Sequence, residues 1–288
     1  MTQSTTSDTR STVRRRLFPD HPRHRSRRGP LAVKVPEITA SFWVLKLLTT
    51  ATGEAASDYL LNTIGLVGLG LGVLGFALTL WLQFRTRRYT PVAYWATVMM
   101  VAVCGTMAAD VIHRQLGVSF AVCTLFWSVA VAVVFWSWHR AEGTLSVHSI
   151  TSTRREVLYW LAVSFTFTLG TAAGDLTASQ LHFGFVGSMV FFAVVMAVPA
   201  LGYWRFGLNS VVAFWWAYIL TRPLGASIAD WCSKPAARGG LGYGDGTVAA
   251  VLVGLSAILL TYLAVRRREL PSTTPSQAPP DMLPAPAD

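Results

Sequence analysis

Charged residues are scarce in this chain: 13% of 288 positions, beside 52% hydrophobic ones. Soluble globular domains carry roughly 25%, so the shortage excludes an ordinary water-facing domain. It suits lipid, where one charge at mid-membrane costs about 2.5–3.5 kcal/mol. Cysteine is rarer still. Cys104, Cys123 and Cys232 have no metal-ligand or redox spacing, which excludes a disulfide framework. Acids are outnumbered, 14 Asp+Glu against 24 Lys+Arg, for a net charge of +10. That excess raises the question of a nucleic-acid partner, and position answers it. Residues 1–34 hold nine of the basic side chains, among them Arg14, Arg15, Arg16, Arg27 and Arg28. The segment lacks apolar periodicity and reads as a disordered basic arm. Its expected partner is anionic lipid, as a topology signal, not nucleic acid. No apolar run follows Arg14-Arg15-Arg16 closely, so no cleaved signal peptide is expected. Residues 269–288, rich in Pro, Ser, Thr and Ala, read as a disordered tail.

What the chain does contain is a repeat. Phe42-Trp43, Gly53 and Asp58 are matched by Tyr94-Trp95, Gly105 and Asp110, by Tyr159-Trp160, Gly170 and Asp175, and by Phe214-Trp215, Gly225 and Asp230. Each copy has an aromatic residue, Trp, nine residues, Gly, four residues, Asp. Self-similarity at this level defines the architecture before any single element does.

Each motif lies in an apolar stretch able to span a bilayer, which takes about 20 helical residues. A second apolar stretch follows each, at about 63–84, 117–138, 183–204 and 247–265, and each ends in basic residues. The reading is all-α: eight transmembrane helices in four parallel two-helix repeats, over 35–88, 89–155, 156–207 and 208–268. Lys and Arg cluster in the first arm and after the even-numbered helices, whereas the opposite side holds only Arg114, Lys234 and Arg238. The positive-inside rule then predicts both termini in the cytoplasm of an inner membrane, with the motif helices all running outward.

Trp favours the membrane interface, so Trp43, Trp95, Trp160 and Trp215 are expected to anchor the cytoplasmic ends of their helices. At about 1.5 Å per residue, Gly53, Gly105, Gly170 and Gly225 fall about 15 Å deeper. There they are read as points of close packing or hinging, and the four Asp fall about 22 Å from the Trp layer. A carboxylate near a helix C-terminus opposes the macrodipole, so a helix-ending role alone would not place Asp there four times. Intramembrane ionisable residues are functional candidates. On the first helix Lys46, Thr50, Glu54 and Asp58, four apart, share one face. On the seventh, Arg222-Pro223-Leu224-Gly225 reads as a broken, hinging segment.

Asp58, Asp110, Asp175, Asp230 and Glu54 outnumber Lys46 and Arg222 as counter-charges. Buried carboxylates in excess must be paired, protonated or bound to cations. Thr50 is read as a further oxygen ligand, with Thr49, Thr166 and Thr221 as others. Oxygen donors suit hard ions, and the four Asp are the expected ligands if the ion is a metal. His113, one turn past Asp110, reads as an interfacial side chain or a proton relay. Gly242-Tyr243-Gly244-Asp245 looks like the Gly-x-Gly-Asp signature of intramembrane aspartic proteases, but its place in a Gly-rich outer loop favours a turn.

Lys34-Val35-Pro36-Glu37-Ile38-Thr39, Gly53-Glu54 with Asp58, Glu142-Gly143-Thr144-Leu145-Ser146 and Thr221-Arg222-Pro223-Leu224-Gly225-Ala226-Ser227 extend the pattern. Over about 34–268 the chain resembles a bacterial integral-membrane family with four tandem two-helix repeats of unknown function. The resemblance implies the same architecture and no activity. The expectation is a secondary transporter of a cation, without cofactor and without enzymatic activity. The alternative is a non-transporting membrane scaffold or accessory subunit.

Overall fold

The computed structural model describes residues 33–269. The expected arm and tail therefore lie outside the described residues, save Val33, Lys34 and Glu269. Lys34 corrects the arm's boundary. It is buried, and its ammonium donates to Glu156 Oε2 at 2.6 Å. Glu156 is itself buried, at 1% exposure.

Among the described residues there are eight long helices: α1 Ala40–Tyr59, α2 Leu66–Arg85, α3 Pro91–Leu116, α4 Phe120–Glu142, α5 Thr153–Asp175, α6 Gly184–Phe206, α7 Ser210–Ser233 and α8 Asp245–Glu269. Their starts follow from local chemistry. Thr39, Ser119, Ser152 and Asn209 cap α1, α4, α5 and α7 with side-chain oxygens. Pro91 opens α3, where its missing N–H is not needed.

The motif helices form a closed inner ring. α1 packs on α3, α3 on α5, α5 on α7, and α7 on α1. The other four lie outside it, each against the inner helix of the next repeat: α2 on α3, α4 on α5, α6 on α7, and α8 back on α1. The glycines set the inner ring's spacing. A Cβ on Gly53 would overlap Ala102; on Gly105 it would lie 3.1 Å from Phe167 Cβ; on Gly170, 2.5 Å from Arg222 Cγ; on Gly225, 2.8 Å from Thr50 Cγ2. The partner is in every case the residue seven places after the next repeat's Trp. The four repeats are thus related by a pseudo-fourfold axis along the bundle.

Seven of the eight helices are long and apolar enough to cross a membrane; α1, which carries Lys46, Glu54 and Asp58, is not among them. The most apolar helices are the least buried. The spanning windows of α2, α4, α6 and α8 are 17% buried, against 56–61% for α3, α5 and α7. Leu66, Trp204, Phe206 and Ile258 are among the side chains left facing outward. An apolar belt of this extent is a liability in water and is the expected surface in hydrocarbon. The chain is a polytopic all-α membrane protein.

Two expectations are corrected here. Trp95, Trp160 and Trp215 do not anchor an outer interface; they are 4%, 3% and 5% exposed, inside the bundle. Each repeat's leading aromatic stacks on its own Trp and on the Trp of the next. The second set of contacts runs Phe42–Trp95 at 5.5 Å, Tyr94–Trp160 at 5.6 Å, Tyr159–Trp215 at 6.2 Å and Phe214–Trp43 at 5.9 Å. The result is a collar of eight rings. Nor is α7 broken at Pro223. It is helical from Ser210 to Ser233, and the Pro223 ring fills the space left by Gly170 and Gly174. The motif glycines hold helices together rather than hinge them. The helical irregularities fall elsewhere, as π turns at Leu60–Ile64 and Leu176–Gln180, directly after α1 and α5.

Candidate functional site

Below the collar, the ring encloses a column of charged and polar side chains. Its first member is Lys46. Fully buried, its Nζ sits 3.7 Å from the centre of the Phe167 ring and 3.9 Å from that of Tyr218, with no hydrogen-bond acceptor. The faces of two aromatic rings take the place of a carboxylate, since their quadrupoles attract a cation. Tyr218 stands three residues after its Trp, as Lys46 does in the first repeat. The collar above is tied by a 2.6 Å hydrogen bond between the hydroxyls of Tyr94 and Tyr159. Outside it, the loop after α4 folds back over the bundle. Val147 and Ile150 are buried in the same core, and Trp215 Nε1 donates to Leu145 O at 3.0 Å.

The second layer is built around Arg222, which is fully buried. Its Nη2 donates to Glu54 Oε2 at 2.5 Å, to Thr106 Oγ1 and to Thr171 Oγ1 at 2.8 Å. One guanidinium from α7 thus touches α1, α3 and α5. Glu54, Thr106 and Thr171 each follow the motif glycine of their own repeat. In the fourth repeat that place is taken by Ala226, small enough to leave the space to Arg222. Aligning the column of residues after each Gly would have singled out Thr106 and Thr171.

The threonines proposed from sequence behave differently. Thr49 and Thr50 donate to Lys46 O, Thr166 to Val163 O, and Thr221 to Ala217 O. Their hydroxyls bond back to their own helices, as is common mid-helix. The methyl of Thr50 lies against Gly225, so Thr50 packs the ring.

Beyond Arg222 the column turns acidic. One oxygen each from Glu54, Asp58 and Asp230 can lie within 4.8 Å of one another. Asp110 and Asp175 are within electrostatic range of Glu54 and Asp58, and Asp175 also of Asp230. All four motif Asp and Glu54 therefore gather at one end of the axis. A lysine reaches in from outside the spans. Lys234, just past α7, pairs with Asp58, with Asp245 at 2.8 Å and with Asp230 at 3.7 Å. Burial alone would lower its pKa, but the Asp58, Asp230 and Asp245 carboxylates outweigh this and hold the ammonium above the ordinary lysine range. From sequence, Lys234 reads only as an outer-side positive charge. Its spacing four residues after Asp230 was the available signal.

Asp245 opens α8, after a loop in which Gly242 and Gly244 adopt φ of +79° and +80°. The turn expected at this Gly-x-Gly-Asp sequence is present, and its Asp serves Lys234. His113 Nδ1 donates to Val118 O at 2.7 Å and its ring stacks on Phe120, holding the end of α3.

Access to the column differs at its two ends. Asp175 and Asp230 are partly exposed, and the Asp245 side chain is 20% exposed. At the other end Tyr94 and Tyr159 are each 1% exposed beneath the loop. Among the described residues, Asp175 has no ion-pair partner, and six carboxylates stand against Arg222, Lys234 and Arg114.

No curated protein and no solved structure matches this chain. Residues 93–144, 158–208 and 213–269, more than half of the sequence, match a family described as a Repeat of Unknown Function, DUF347. The three matched segments each hold an inner helix and its outer companion, and α1 with α2 completes the ring as their equivalent. The chain belongs to this family of tandem membrane repeats.

Proposed function

We propose that the protein carries a small cation, a proton or a hard metal ion, across an inner membrane, with Glu54, Asp58, Asp110, Asp175 and Asp230 as its binding groups. The observation that supports this reading is the charge imbalance at one end of a bundle closed at the other. Carboxylates gathered in a poorly solvated place need protons or cations to balance them. Oxygens spaced like those of Glu54, Asp58 and Asp230 suit hard ions, whose ligands sit about 2.0–2.6 Å from the metal. Lys234 already stands among them as a tethered cation, so an arriving ion displaces its ammonium from Asp58 and Asp230.

Under this reading, the aromatic collar and the folded-back loop form the closed gate. The positive-inside rule assigns that gate to the cytoplasmic side. Transport then requires the collar to open while the acidic end closes, by movement of repeats about the axis. Lys46 and Arg222 put positive charge between the two ends. They oppose simple conduction of a cation through the axis and favour a carrier over a channel.

The test is flux into proteoliposomes holding the full chain, with Mn²⁺, Mg²⁺, Ca²⁺, Na⁺ and a pH gradient offered in turn. Saturable uptake of one of them, cut at least tenfold in the Asp175→Asn/Asp230→Asn protein, supports transport. Equal flux in wild type and in the protein with all four motif Asp changed to Asn ends it. A second reading, a structural scaffold, draws on Arg222 of α7 joining α1, α3 and α5 by direct side-chain hydrogen bonds. Its mark is loss of folding in the Asn variants together with no heat of ion binding in the intact protein.

A further inference from the structure

Beside α1 the acidic layer has an opening of its own. The π turn Leu60–Ile64, α2 and α3 bound a groove of 510 Å³. Leu61, Leu66 and Leu69 give it apolar walls, Asn62 and Arg114 stand at its rim, and Asp110 lines it. Asp110 is 6% exposed, and its Oδ2 accepts no hydrogen bond. The nearest cation is Arg114, whose Nη2 is 3.5 Å from that oxygen. Arg114 also donates from Nη1 to Asn62 Oδ1 at 3.0 Å, so it bridges the groove from α3 to the π turn. Its side chain is 50% exposed, so water reaches the guanidinium.

We propose that this groove is the mouth through which a small cation reaches the carboxylates, with Arg114 as a tethered counter-charge that the ion replaces at Asp110. The inference rests on the cation reading given above and adds its route and its first ligand. Geometry carries it. An almost wholly buried carboxylate lines a cavity with one of its oxygens left without a hydrogen bond, and the cation nearest that oxygen, Arg114, is half-exposed. Beyond Arg114 the charges that act on Asp110 are mostly acidic. Asp58 and Glu54 on α1 and Asp175 on α5 all repel a negative charge on Asp110, and Lys234 answers from the end of α7. The π turn makes the space. By adding a residue to the turn after Asp58 it carries the chain aside before α2, a placement often met at functional sites.

The test uses the full-length protein in micelles and dicyclohexylcarbodiimide, an apolar reagent that modifies reachable protonated carboxyls, read by peptide mass spectrometry. Asp110 is expected to react at least fivefold faster than Asp230. Arg114→Gln is expected to speed the reaction several-fold and Arg114→Lys to leave it near wild type. Leu69→Trp, which fills the groove, slows it, and excess Mn²⁺ or Na⁺ protects Asp110. Labelling of Asp110 no faster than Asp230, or indifference to Arg114→Gln and to both cations, overturns the proposal. A protein that transports but leaves Asp110 unlabelled keeps its transport reading and loses the groove. Cation-protected labelling without flux keeps the groove as a cation site and removes transport.

Discussion

The two ends of the inner ring use the same four-copy motif to opposite effect. At the collar, the repeats stay alike. Four aromatic–Trp pairs stack in one continuous ring, each ring meeting the next repeat's Trp in the same way. At the acidic end the four Asp are retained, but the residues between them diverge. Lys46, Glu54, Arg222, Thr106 and Thr171 each occur at one or two copies of their position. Apolar and aromatic packing tolerates symmetry because every contact is favourable in every copy. Four copies of one buried charge repel, so the layer that keeps the four Asp needs neighbours that differ between copies, such as Arg222 and Lys234, to offset them.

Arg222→Met probes that difference most severely. It leaves Glu54 buried without its guanidinium, and breaking a buried pair costs about 3–5 kcal/mol. The expected outcome is a protein that melts far below wild type in detergent, with much of the loss recovered on adding Glu54→Gln. An intermediate effect is expected from the glycine layer. Gly170→Ala pushes a Cβ to 2.5 Å from Arg222 Cγ, and overpacking costs about 1–3 kcal/mol. The control is Gly70→Ala on α2, where nothing lies within 4 Å. Helix propensity there favours Ala by about 0.5–1 kcal/mol, so the melting temperature rises or holds.

Within the collar, Tyr94→Phe removes one hydroxyl of the Tyr94–Tyr159 bond. The cost is about 0.5–1.5 kcal/mol, read from the same melting curves, and the ring stacking is left intact. The smallest effect belongs to the surface. Arg154 lies 3.4 Å from Glu142 but is 68% exposed, and Arg155 holds the same carboxylate at 2.7 Å. Arg154→Ala should fall within about 0.5 kcal/mol of wild type. A collar substitution more damaging than Arg222→Met would reverse the contrast between the two ends.

Much of the fold was legible in advance because depth and repetition are written locally. Trp, Gly and Asp at fixed intervals place equivalent atoms at equivalent heights, and apolar length separates spanning from connecting segments. What each side chain touches is not local. Trp95 and Trp160 have the composition of interface anchors, yet close contact through Gly53 and Gly105 draws the helices near enough for their rings to stack inside. Thr50 shares a face with Glu54, but its hydroxyl is satisfied one turn back, at Lys46 O. The partners of Arg222 come from three other helices, more than fifty residues away in each case. Lys234 sits outside the span and enters the site only because the loop to α8 turns it inward. The sequence pattern marks which carboxylates recur; tertiary contact decides which cations answer them.

The lodging of α8 against α1 has a consequence for how many copies such a molecule can hold. A row of stacked repeats can gain or lose a unit and needs specialised ends to stay soluble. Here the last unit clasps the first, so neither is terminal. A fifth copy would have no seam to enter without prising the circle apart, and loss of one would strip its neighbours of the contacts that close the ring. The tally of four is therefore a property of the closure itself.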